Sequence, residues 1–321
     1  MLFYCKSSKA YIFYISTLAS ATAFKDINKA ICYSDEKMTV FLLSIRLIYF
    51  LSIWSGIMFT LGRKIDLRYK PNLMIILLSL LAVAAGWLFF GELQSGISLG
   101  GGFFLTWALT RELDPAHDYS AYLAAFLSLS MLFDFESIHF LSVLWLLLQL
   151  RAVNGISGKD LTLFDLVSLF GFTVYLSVTD ENSSYLFLFA LAMMFIRQTR
   201  KKPKAAGIAG ILAFILFIVQ STWMDGLSFN PVNFLNLFDL LMIAGPCLSL
   251  IVFRSLSPIK VEDDKGNSVA QSRIFASQLL YNIAVLLLFF FSDMTFSDQM
   301  IYLSAIIGVV LHFITIKSKS R

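Results

Sequence analysis

Apolar runs close to the thickness of a bilayer, parted by short polar loops, are the dominant pattern along this chain. A spanning helix needs about 20 predominantly apolar residues. The runs fall at 39–62, 72–91, 95–109, 119–133, 137–150, 161–178, 185–196, 205–223, 232–253, 274–292 and 299–316. Between them lie turn and helix-start signals such as Asn154-Gly155, Ser157-Gly158 and Asp160. The runs rarely alternate with period two, which argues against a β-barrel. The expected fold is all-α: a polytopic transmembrane helical bundle of about ten or eleven spans, ten after Met38 or eleven with 11–24. Several runs are too short to be straight and lipid-exposed, and such segments are accommodated by bilayer thinning, snorkelling flanks or burial inside the bundle.

Residues 38–321 read as a single multi-pass membrane domain, with no internal repeat and no soluble module. The N-terminal segment 1–37 has three readings. It is a short first helix at 11–24, a signal peptide with small-residue cleavage sites around Ala19 to Ala23, or a stretch upstream of a start at Met38.

Composition agrees with the pattern. The chain is 58% hydrophobic and 14% charged, where soluble domains carry roughly 25% charged residues. Cys5, Cys32 and Cys247 are scattered singly, so neither a disulfide framework nor a zinc site is indicated.

Charge supplies an orientation. Let the basic loop RKIDLRYK at 63–70 lie in the cytoplasm and each later run cross once. Then all 25 basic residues except Lys25, Lys29, Lys37 and Arg46 fall in cytoplasmic segments. The outer loops after residue 38 carry acids and no bases: Glu92, Asp134, Glu136, Asp180, Glu181, Asp225, Asp293 and Asp298. Loop Lys/Arg bias sets orientation, which places the C-terminus in the cytoplasm. The compact loops suit a bacterial plasma (inner) membrane.

The densest polar cluster is RELDPAHD, with Arg111, Glu112, Asp114, His117 and Asp118 as candidate catalytic residues. Asp114 and Asp118 would share a face if the segment were helical. Carboxylates so spaced can hold Mg²⁺ while a diphosphate completes its shell. This DxxxD resembles the aspartate-rich motif of membrane prenyltransferases of the UbiA type, and the resemblance implies a cytoplasmic metal-diphosphate site in a helical bundle. It is confined to that motif, since the family's second aspartate motif with its leading Asn has no counterpart. The plainer reading is a turn, with Asp114-Pro115 initiating it, Asp118 capping the next helix and Arg111 complementing a helix C-terminus. The preceding Gly100-Gly101-Gly102 would allow close helix approach or local unwinding.

A second group of candidates, for substrate binding, is Arg46, Asn233, Asn236 and Asp239. Arg46 and Asp239 each fall about 10 Å into their runs at 1.5 Å per residue, and ionisable residues at such depth are functional by default. They would suit an ion pair. Asn233, Asn236 and Asp239 form a polar stripe, and Gly245-Pro246 is placed to break the helix beyond it. The plainer reading is a structural clamp between two spans.

Gln278 and Asn282 read as interhelical glue, Asp165 as a group reaching water or a helix N-terminus, and His139 and His312 as isolated structural histidines. Asn182-Ser183-Ser184 fits a glycosylation sequon. HExxH, GxSxG, Walker and GxGxxG motifs are absent, and no metal site is expected.

The leading expectation is a transporter or permease-like protein. One alternative is an enzyme acting on a lipid or prenyl-phosphate substrate at the cytoplasmic face. Another is a structural or assembly subunit. The partners implied are the lipid bilayer and a small-molecule or lipid substrate, with no nucleic acid. Cofactor and oligomeric state are left open by the sequence.

Overall fold

The computed structural model describes residues 60–62, 66–200, 204–223, 227–231, 236–256 and 261–319. All of them belong to one unit, Met58–Arg321. The segment 1–37, the run at 11–24 and nearly all of 39–62 lie outside the described residues.

The bundle is all-α, with no strands among the described residues. In chain order the helices are α1 Lys70–Phe90, α2 Leu93–Leu113, α3 Asp118–Ser128 with a 3₁₀ extension Leu129–Phe133, α4 Phe140–Asn154 and α5 Leu163–Thr179. Then follow α6 Ser184–Thr199, α7 Lys204–Trp223, α8 Leu237–Leu256, α9 Gln271–Phe291 and α10 Phe296–Lys319. Each covers one apolar run from 72–91 onward. With 39–62 the runs number eleven without 11–24, so the lower count of ten spans was one short. Thr60, Leu61 and Gly62 are not helical.

Five helices, α1, α7, α8, α9 and α10, are long and apolar enough to cross a membrane. Their burial separates centre from periphery: 61% of the most apolar stretch of α9 is buried, against 17% for α1 and for α7. The exposed sides of α1 and α7 are correspondingly apolar, with Leu77, Leu81 and Leu88 on one and Ile208, Ile211 and Ile218 on the other. In water such patches would be a liability; in lipid they are the expected surface. The shorter α4 and α6 pack inside, where Trp145 and Tyr185 meet edge to face at 5.1 Å and Trp145 donates to Thr173 Oγ1 at 2.8 Å.

The Gly-rich run at 95–109 proves neither short nor unwound. It is part of the continuous 21-residue α2. A Cβ on Gly96 would sit 2.5 Å from Val83 O, and one on Gly100 would sit 2.6 Å from Ser79 O. The two glycines, four apart, let the α2 backbone lie directly on α1, antiparallel to it. The helix also continues through Arg111 and Glu112, because a partner outside the run satisfies the acid.

Alternating helix directions give the bundle two chemically distinct ends. One collects the C-termini of α2, α4 and α6 with the start of α9, and is rich in arginine. The other collects the starts of α4, α6, α8 and α10, and is rich in carboxylates.

Candidate functional site

At the arginine-rich end the five residues of RELDPAHD come together but are engaged separately. Arg111 forms an ion pair with Asp118 and donates to Pro115 O at 3.3 Å, while the Tyr69 hydroxyl donates to Asp118 Oδ2 at 2.6 Å. Glu112, only 1% exposed, accepts from Arg151 Nε at 2.9 Å and Asn154 Nδ2 at 2.8 Å. Asp114 terminates α2, and its Oδ1 lies 2.9 Å from His117 Nδ1. That bond raises the His117 pKa above its ordinary value, against the opposing effect of burial.

Asp114 ends one helix and Asp118 lies in the first turn of the next, so the two carboxylates do not share a helix face. Among the described residues, no three His, Cys, Asp or Glu side chains group as a metal site. The DxxxD spacing therefore loses the geometry that the Mg²⁺ reading needed. His117 takes the N-cap position expected of Asp118.

The other end is open. A cavity of about 380 Å³ is walled by Glu136, Asp239 and Asp293 together with Asn230, Ser292 and Gln299. Its position follows from four helix starts and ends meeting there. Asn236 precedes α8 and caps it, accepting from Phe238 N at 3.0 Å and donating to Asp239 Oδ1 at 3.3 Å. Asp239 is thus in the first turn of a helix that begins at Leu237, not 10 Å inside a span. The expected polar stripe is also shortened: Asn236 is not helical, and Asn233 and Arg46 lie outside the described residues, as does the Arg46–Asp239 ion pair. Nor does Gly245-Pro246 break α8, which runs on to Leu256 with Pro246 buried inside it.

A smaller void of about 10 Å³, the size of one water, adjoins the cavity through Ser292 and Met294. His139, Tyr185, Asp298 and Tyr302 line it. Asp298 is occupied several times over. It accepts from His139 N at 3.0 Å and pairs with His139 Nδ1 at 2.6 Å. In the first turn of α10 it also accepts from Thr295 Oγ1 at 2.9 Å, while Thr295, just before the helix, caps it by accepting from Asp298 N at 3.2 Å. Tyr185 donates to Asp180 Oδ2 at 2.9 Å and meets Ser142 Oγ at the same distance. The hydrogen bond that His139 donates to Asp298 raises the His139 pKa. Burial raises that of Asp180, against the stabilising Tyr185 bond and the His139 charge.

Comparison with protein-family models, curated proteins and solved structures gives no match. The functional reading therefore rests on the site itself.

Sequence reasoning missed the inner part of this site. His139 is not isolated, since Asp298 holds it from 159 residues away, and no local spacing carries that pairing. Nor is His312 isolated, its ring lying 5.0 Å from that of His117. Asn182 fits the sequon but is buried, donating to Phe291 O at 2.7 Å, which closes it to a glycan in the folded chain. The remaining polar residues behave as read. Asp165 caps α5 in a capping box with Thr162, Gln278 donates to Leu113 O at 2.7 Å, and Asn282 donates to Ser249 Oγ at 2.9 Å.

Proposed function

We propose that this chain is a multi-pass membrane protein of the transporter or permease type, which takes a small polar solute, neutral or cationic, into the cavity walled by Glu136, Asp239 and Asp293. One observation carries the reading: the cavity opens at Asp239 and not at Asp114 and Asp118. Its described walls hold three carboxylates and no lysine or arginine, so an anion would meet repulsion in a partly dehydrated space. The nearby N-termini of α8 and α10 offset part of that negative charge. Beyond the mouth, His139–Asp298 and Asp180–Tyr185 line or adjoin the smaller void with fixed hydrogen-bonding groups. In this reading the arginine-rich end faces the cytoplasm of a bacterial inner membrane and the cavity opens outward.

The test is solute binding by purified protein in nanodiscs, with putrescine and tetramethylammonium as probes of a cationic site. Wild type should gain thermal stability with at least one probe. Glu136→Gln/Asp239→Asn/Asp293→Asn should lose that response while keeping its helical content. An undiminished response in the triple variant would remove the reading.

A second reading, an enzyme acting on a lipid or prenyl-phosphate substrate, keeps one supporting observation. Asp114 Oδ2 is buried with no hydrogen-bond partner, beside His117. Neither cavity described above reaches it. Substrate-dependent turnover abolished by Asp114→Asn would favour this reading over transport.

A further inference from the structure

At the arginine-rich end, away from both sites above, two guanidinium groups converge with no described carboxylate in ion-pair contact with either. Arg200 is the residue just after α6, its N–H bonded to Ile196 O at 2.9 Å, and Arg273 lies in the first turn of α9. Both side chains fold over Gly155, which follows α4 in the left-handed region at φ 63°. A Cβ at Gly155 would overlap the Nη2 atoms of both arginines. The two tips therefore share the space over one α-carbon. Glycine is needed there twice, for its φ and for the room.

Both residues are partly buried, and both Nε atoms are fully buried with no hydrogen-bond partner. Neither guanidinium forms an ion pair with a described carboxylate. The acids nearby are otherwise placed. Asp263 spends its carboxylate on its own turn, accepting from Lys265 N at 2.9 Å and Asn267 N at 2.8 Å. Asp165 is held by Thr60 at 2.7 Å and by Thr162 at 2.7 Å, and the exposed Asp160 attracts both arginines without forming an ion pair with either. Burial and the Arg273 charge lower the Arg200 pKa to about 10, so Arg200 is still cationic at neutral pH. Two adjacent, partly desolvated like charges are unfavourable unless an anion joins them. The C-terminal dipole of α4 offsets only part of this. Planar guanidinium forks match the oxygens of a phosphate group in bidentate fashion. At the start of α9, N-cap Ala270 supplies no side-chain acceptor for the first-turn N–H groups.

We propose that Arg200 and Arg273, seated on Gly155, form a phosphate-binding site at the arginine-rich end of the bundle, independent of the solute cavity. The phosphate is either the headgroup of an anionic lipid or a free phosphate-type anion, since the site lies just beyond the ends of three helices.

The experiment measures the Tm of full-length protein in nanodiscs, at matched ionic strength set with chloride. In phosphatidylcholine discs with added inorganic phosphate, a rise of roughly 2–4 °C, the size expected for about 1 kcal/mol, identifies a free anion as ligand. A rise seen only when phosphatidylglycerol replaces part of the phosphatidylcholine identifies a lipid headgroup. In either case Arg200→Gln and Arg273→Gln should each abolish the rise, and Arg200→Lys should restore little of it because the fork is lost. No rise in wild type under both conditions overturns the proposal, as does a full rise retained in both Gln variants. Should one Gln variant fail to fold, the other variant and the wild-type comparison still decide the matter.

Discussion

The bundle carries an aspartate–histidine pair at each end, and the two are chemically alike but differently housed. Asp298 binds the Nδ1 and backbone N–H of His139 and accepts from Thr295 at the start of α10, leaving neither oxygen idle, and its histidine is 49% exposed beside the cavity. Asp114 binds His117 through one oxygen and leaves the other buried without a partner, and its histidine is 24% exposed. A fully satisfied carboxylate holds a histidine in place and makes it a fixed, titratable wall of a solvent-filled space. A half-satisfied carboxylate in a closed turn stores an unmet hydrogen bond. Access, more than residue identity, separates the two ends.

The strongest way to break this comparison is at the closed end. Glu112→Ala leaves Arg151, Asn154 and their helix ends without the buried acid that joins them. Removing one partner of a buried ion pair costs about 3–5 kcal/mol. Thermal unfolding in detergent should show a large loss of stability, and an unchanged Tm would mean that the pair contributes nothing to closing that end.

Asp298→Ala should act next most strongly. It removes the bonds that Thr295, the capping residue of α10, and His139 donate to the carboxylate, each worth about 0.5–1.5 kcal/mol. Cavity binding of putrescine or tetramethylammonium should fall with it, whereas Asp293→Asn, at an exposed position with no local bond to lose, should leave Tm within about 0.5 kcal/mol equivalent. Equal destabilisation by both variants would remove the distinction between scaffold and wall.

The smallest effect is a pH dependence. The folded-state pKa of His139 is raised above 6.5, so its pairing with Asp298 stabilises fully below that value and is lost as pH rises through the raised pKa. The Tm gap between wild type and His139→Gln should therefore be widest on the acid side of pH 6.5 and close as the solution becomes alkaline. A gap that widens with pH would reverse the assignment of the charged state.

Much of the architecture was legible in the apolar runs, because a helix that faces lipid or a helical neighbour must be apolar along most of its length. The ends of α2 and α8 were not. In α2 the charged Arg111 and Glu112 look like loop, and only Arg151, 39 residues on, makes the acid compatible with a buried helix end. In α8 the polar Asn236 and Asp239 look like a stripe within a span, whereas their local hydrogen bonds start the helix at that point. Asp239 does line the cavity, but from the first turn of its helix and not from the depth within a span that singled it out. The inner site escaped notice because Asp298 and His139 meet only through tertiary packing, as do Arg200 and Arg273.

The most direct measurement is thiol accessibility at Ser292, which borders both the cavity and the smaller void. In a background with Cys5, Cys32 and Cys247 replaced by serine, Ser292→Cys is treated in oriented vesicles with a membrane-impermeant maleimide. The account predicts rapid modification from the face opposite the C-terminal tail, slowed by the cationic solute that the cavity binds. Absence of modification from that face, with the protein folded, would mean that the acidic end is sealed and that its carboxylates only hold helices together.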